Sequence, residues 1–298
     1  MKTPVAFDFI LLAMLWGSSF LLQKYAVTDF GPFVMAFLRV LMASLLLLPL
    51  LALRGQMGVL RSNWKPILFV GMINSGIPFV LFAFAVLHIS TGLTSILNAT
   101  VPLWGAVVAW LWLGDKPNAS RTLGLLIGFC GVAALSWSKA SFSALFADTA
   151  GSASGWAVIV CLVATLSYGI AASFTKKHLV GVPPMASAAG SQLGASILLI
   201  VPALMTIPVN TPTVTAWIAL ILLAGLSTAL AYILYFRIIE RIGPARTVTV
   251  TFLIPVFGVL FGHLFLGETV TGTMLLWGAV ILLGTALATG VLKLPGKR

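Results

Sequence analysis

Charge is scarce in this chain. Only 8% of its 298 residues are Asp, Glu, Lys or Arg, and the acids number six: Asp8, Asp29, Asp115, Asp148, Glu240 and Glu268. About a quarter of an ordinary soluble domain is charged, and with 60% of residues apolar no aqueous fold could hide that much apolar surface. The two cysteines, Cys130 and Cys161, exclude a disulfide framework. With three histidines, His88, His178 and His263, assigned to different depths or faces, soft ligands are too few for a metal site, and neither metal nor cofactor is expected. A Ser/His/Asp constellation and a His-Glu-x-x-His helix are both absent, so the chain is not expected to be an enzyme. Alternating ten-residue segments, the mark of membrane strands, are missing too.

Long apolar runs are what the chain has. About 20 helical residues cross a hydrocarbon core, and ten runs of that order lie near 5–26, 33–53, 64–87, 91–113, 120–138, 155–175, 184–207, 213–236, 244–266 and 271–292. The first run follows Lys2 and contains Gly17-Ser18-Ser19, yet Asp8 interrupts it and it has a counterpart at 155–175, so it reads as a structural helix rather than a secretory signal.

Basic residues orient the runs. With a cytoplasmic N-terminus the inner segments hold Lys2, Arg54, Arg61, Lys65, Lys116, Arg121, Lys176, Lys177, Arg237, Arg241, Arg246, Lys293, Lys297 and Arg298, and the outer segments only Lys24 and Lys139. This bias puts both termini in the cytoplasm of an inner, or plasma, membrane. It also accounts for the net charge of +11 through anionic lipid headgroups, with no need of nucleic acid.

The chain is one unit written twice. At a spacing of 153, Trp64 meets Trp217, Pro102 meets Pro255, Gly105 meets Gly258, Leu113-Gly114 meets Leu266-Gly267 and Gly131 meets Gly284. At 152, Trp16-Gly17 meets Tyr168-Gly169, Lys24 meets Lys176 and Pro32 meets Pro184. A unit of five crossings must be inverted in its second copy. The expected fold is therefore all-α and integral to the membrane: ten transmembrane helices as two inverted five-helix repeats, residues 1–138 and 155–298, joined by an outer linker at 139–154. Within the linker Phe142, Leu145 and Phe146 have the spacing of a short amphipathic turn.

Trp16-Gly17-Ser18-Ser19-Phe20 in the first helix, an arginine in the second, Pro102 and Pro255 in the fourth helix of each half, and the endings Leu113-Gly114-Asp115 and Leu266-Gly267-Glu268 together resemble the EamA-type transporters of the drug/metabolite transporter superfamily. Size and layout are similar to those of the YddG-type exporters of aromatic amino acids. The resemblance implies export of amino acids or other small metabolites; broad efflux of toxic compounds and a nucleotide-sugar type of carrier are the alternatives.

A substrate crossing between inverted halves should bind near mid-depth, where polar groups are otherwise costly. The candidates for such a cavity are Trp16, Ser19, Arg39, Asn74, Phe79, Asn98, Tyr168, Gln192, Tyr232 and His263, with Phe82 and Tyr235 as further aromatic lining. The fifth helix of each half supplies none of them; its glycines, Gly124, Gly128, Gly131, Gly278 and Gly284, suit close packing and contacts in a homodimer. Arg39 lies on the order of 9 Å below the outer hydrocarbon edge, so it either snorkels to the headgroups or faces the cavity and attracts a carboxylate; the resemblance favours the second. Its counterpart is Gln192. Pro102, Pro255 and Pro78 fall inside helical runs and would bend them, and the matched pair reads as hinges for alternating access. Trp64 and Trp217 sit at helix starts as interfacial anchors. His263 is the one intramembrane group with a reference pKa near neutrality; which ion, if any, is coupled stays open.

Overall fold

Gly31 divides the longest element. α1 (Thr3–Leu53) contains a residue outside helical geometry, Gly31, at φ 71 and ψ 166, a region open to glycine because it lacks a Cβ. Pro32 then begins the second arm. The computed structural model describes residues 3–139 and 150–292; the linker turn at Phe142, Leu145 and Phe146 lies outside them.

After α1 come α2 (Trp64–His88), α3 (Thr91–Leu113), α4 (Ala119–Lys139), α5 (Ala150–His178), α6 (Pro184–Met205), α7 (Val214–Ile242), α8 (Val248–Leu266) and α9 (Gly272–Ala288). Among the described residues there is no strand. The first two apolar runs are two helices that meet directly at the Gly31 break, so α1 holds both. Eight helices, α1 to α8, are long and apolar enough to cross a membrane, and α9 is a shorter apolar helix of 17 residues.

The repeat governs the irregularities as well as the helices. α2 widens into a π-helical stretch at Met72–Gly76, and α7 does so at Gly225–Leu230, which begins 153 residues later. Both α3 and α8 end on a left-handed glycine, Gly114 at φ 75 and Gly267 at φ 63, the usual helix stop.

Pro102 and Pro255 correct the expectation of kinked helix interiors. Each stands in the first turn of a helical segment, after a break at Ala99–Thr100 and a 3-10 stretch respectively. There a proline costs no hydrogen bond, because the first N–H groups of a helix have no intrahelical acceptor. Pro78 differs: the π stretch of α2 runs into it through helical Gly76 and Ile77, so it stands inside the helix and the widened turn accommodates its missing N–H.

α4 and α9 pack against each other at the margin of the bundle. A Cβ added to Gly124 would run into the backbone of Gly284 and Ala288, and one on Gly284 into that of Gly128. Gly131 faces Ile281, and Gly278 faces Ile96 of α3. These glycines thus meet partners within the chain, as close packing requires: small residues let backbones approach where lipid gives helices no hydrophobic drive to associate. Cys161 is buried as a packing residue, whereas Cys130 is exposed on α4. Trp64 and Trp217 are both partly exposed, and Trp217 also packs edge-on against Phe30.

Candidate functional site

Irregular helix turns leave room and free polar groups where α1, α2, α3, α5, α7 and α8 meet. A cavity of about 350 Å³ lies there, within the range of small-molecule sites. Its lining is built from repeat-matched pairs: Trp16 and Tyr168, Asn74 and Ser227, Phe79 and Tyr232, Phe82 and Tyr235, Asn98 and Thr251, Val101 and Ile254.

Eight of the ten expected residues line this cavity: Trp16, Ser19, Arg39, Asn74, Phe79, Asn98, Tyr168 and Tyr232. Gln192 is fully buried beside it rather than in it, and its Nε2 donates to Ser75 Oγ at 3.0 Å. His263 departs from expectation. Its ring lies on the exposed side of α8 with Nδ1 3.0 Å from the Glu268 carbonyl oxygen, because the turn of the helix carries position 263 away from the face on which Val248, Thr251 and Ile254 line the cavity.

Arg39 does not reach for the headgroups. Only 4% of it is exposed, its Nε donates to Thr228 Oγ1 at 2.9 Å, and the guanidinium stacks 3.7 Å from the centroid of the Phe79 ring. Among the described residues no carboxylate lies within ion-pair distance of it. A buried cation without a counter-charge is costly in a low-dielectric interior, and an anionic ligand would offset that cost.

Polar groups flank the arginine. Asn74 Nδ2 donates to the Tyr232 hydroxyl at 3.3 Å, and Ser227 and Gln23 are buried cavity residues whose Ser227 Oγ and Gln23 Oε1 have no hydrogen-bond partner among the described residues. Aromatic rings supply the apolar walls: Trp16 lies 5.4 Å from Tyr235, and Phe82 lies 5.7 Å from Phe20 and 6.2 Å from Tyr168. Gln23, Ser227, Thr228 and Thr251 escaped the sequence reading. A signal for three of them was present, since spacing of 153 carries Asn74, Ser75 and Asn98 onto Ser227, Thr228 and Thr251. Among the described residues no three His, Cys, Asp or Glu side chains converge as a metal site.

The chain belongs to the EamA-like transporter family, which it matches twice, over residues 5–137 and 155–290. It is 25% identical to an uncharacterized transporter of Bacillus subtilis, YvbV, over 92% of this chain and 88% of that one. It is 26% identical to an uncharacterized inner membrane transporter of Escherichia coli K12, YedA, over 96% of this chain and 91% of that one. A solved crystal structure shares the fold, with a TM-score of 0.66 and 17% identity over 98% of both chains. The protein is a multi-pass membrane transporter.

Proposed function

We propose that the protein exports small zwitterionic metabolites, amino acids with aromatic or large apolar side chains foremost, by alternating access through the central cavity. The observation that carries this reading is Arg39: a buried guanidinium bonded through Nε to Thr228, with no carboxylate partner among the described residues, in the wall of an aromatic-lined cavity. A substrate carboxylate completes the ion pair, the Asn74 and Asn98 amides offer acceptors to an ammonium, and the rings around Trp16 and Phe82 take the side chain.

The same reading takes the two arms of α1 as separate spans and α9 as the last, which makes ten crossings in two inverted halves. It places the basic ends of the helices, and both termini, in the cytoplasm of the cell membrane, as the charge bias directs. Among the described residues lining the cavity Arg39 is the single cation, too little charge for a nucleotide sugar with its phosphates. Counterflow of radiolabelled amino acids in proteoliposomes, with and without a pH gradient, is the test. Exchange of aromatic amino acids supports the reading; a protein that exchanges no amino acid but exports lipophilic cations overturns it in favour of broad efflux.

A further inference from the structure

At the less basic end of the bundle, two charged side chains hold the turn between α2 and α3. Glu268, just past the left-handed stop at Gly267, reaches across to the start of α3. There its Oε1 accepts from the Thr91 N–H at 2.7 Å, while its Oε2 accepts from the Thr91 hydroxyl at 3.0 Å and the Gly92 N–H at 3.1 Å. Lys24 Nζ donates to the Val86 carbonyl oxygen at 2.7 Å, at the end of α2. An acid at a helix start and a lysine at a helix end each satisfy backbone groups that the helix leaves unpaired, with the favourable sign of the helix dipole.

The repeat carries Glu268 onto Asp115, just past the left-handed stop at Gly114, and Lys24 onto Lys176. Here the same two residue types do something else. Lys176 Nζ pairs with Asp115 Oδ2 at 2.6 Å, with the two side chains 64% and 49% exposed. An exposed pair of this kind contributes little to stability.

The packing between α3 and α8 shows the same division. Where Glu268 holds the turn, a Cβ on Gly258 would collide with Ser95, and one on Gly262 with Thr91 and Glu268. At the basic end, Gly105, the counterpart of Gly258, has nothing within 4 Å of such a Cβ, and Val248, the counterpart of Ser95, lines the cavity. The bundle is closed at the end where acid and lysine grip backbone, and the cavity extends toward the end where they grip each other.

We propose that Glu268 with Lys24 and Asp115 with Lys176 are alternating latches that exchange roles when access switches. In the other state Asp115 and Lys176 release each other and grip the turn between α7 and α8, while Glu268 and Lys24 let go of α2 and α3 and pair in solvent. The exchange is unequal. The counterpart of Thr91 is Pro244, which has neither N–H nor hydroxyl, so Asp115 finds fewer donors than Glu268 does. That inequality favours the state seen here.

This inference rests on alternating access but not on any substrate, so a labelling experiment tests it separately from amino acid export. With Cys130 and Cys161 replaced, single cysteines at Ser95 and at Val248 report the two ends to a membrane-impermeant thiol reagent applied from either side. Glu268→Gln should raise labelling of Ser95→Cys from the outer side about fivefold and lower that of Val248→Cys from the basic side. Asp115→Asn should move both in the opposite direction. Lys24→Gln should reproduce the first variant and Lys176→Gln the second, so the lysine variants decide the matter where an acid variant fails to reach the membrane. Opposite shifts establish the exchange. Unchanged labelling in Glu268→Gln and Lys24→Gln, or shifts of the same sign at Glu268 and Asp115, overturns it.

Discussion

Arg39 and Gln192 stand at equivalent positions of the two halves and make equivalent bonds. Arg39 Nε donates to Thr228 Oγ1 at 2.9 Å, in the π stretch of α7, and Gln192 Nε2 donates to Ser75 Oγ at 3.0 Å, in the π stretch of α2. Each half thus sends one side chain into the other half's π stretch, where the widened turn offers a hydroxyl. The symmetry is broken only in charge, and the charged member is the one that faces the cavity.

Arg39→Ala should therefore lower carboxylate transport in proteoliposomes by more than about tenfold while leaving membrane levels intact. Arg39→Lys should restore little, because a lysine has neither the Nε donor for Thr228 nor a flat face for the Phe79 ring. Gln192→Ala, beside the cavity rather than in its wall and without charge, should cost less. Wild-type rates in purified Arg39→Ala would remove the arginine from substrate binding.

Thr228→Ala should weaken transport through Arg39 alone, by about three- to tenfold, the scale of one ordinary hydrogen bond, because the guanidinium keeps its charge and its stacking on Phe79. Thr228→Ser keeps the hydroxyl and should behave as wild type. In a double-mutant cycle Thr228→Ala should have almost no further effect once Arg39 is alanine. Additive losses would mean that Thr228 acts on something other than Arg39.

The cavity was legible because the chain prints its site twice. Matches of Trp, Pro and Gly give the register, and polar residues at mid-depth stand out in so apolar a sequence. What could not be read is azimuth within a helix that changes pitch. His263 was assigned from depth alone, and position 263 turns away from the cavity. Ser227 and Thr228 look like ordinary small residues until the π stretch at Gly225–Leu230 shifts the helix register and brings them inward. The prolines announced the discontinuities of α3 and α8 but not their position, since a proline is tolerated both as a kink and as a helix start.

Topology is tested by reporters. A cytoplasm-dependent enzyme fused after Arg61 or after Arg298 should be active, and one inserted near Ser152 silent. Activity at Ser152 with silence at Arg298 would invert the orientation drawn from the basic residues.

Gly284→Leu should leave little folded protein. A side chain there meets backbone at Gly128 and Gly124, not the flexible end of another side chain, so the strain cannot be relieved by a rotamer change and the α4–α9 contact must open. Overpacking of this kind costs about 1–3 kcal/mol, and more where backbone is struck. The measurement is thermal stability of detergent-solubilised protein by size-exclusion chromatography, with Gly272→Leu, open on its Cβ side, as the control expected to behave as wild type.

Pro102 and Pro255 begin helices immediately after breaks in α3 and α8, and the breaks are where those two helices border the cavity. A proline has no N–H to give to the preceding turn and its ring clashes with the carbonyl four residues back, so each proline keeps the helix on its N-terminal side from running through. Pro102→Ala and Pro255→Ala should allow continuous helices and reshape the cavity at Val101 and Ile254. If the breaks are the hinges of access, each variant should change labelling of a cysteine at Asn98 by a factor of about five, equivalent to about 1 kcal/mol between inward and outward states. Labelling that stays at the wild-type level in both variants would make the breaks static, and would leave rigid rocking of the two halves against each other as the motion that moves the substrate.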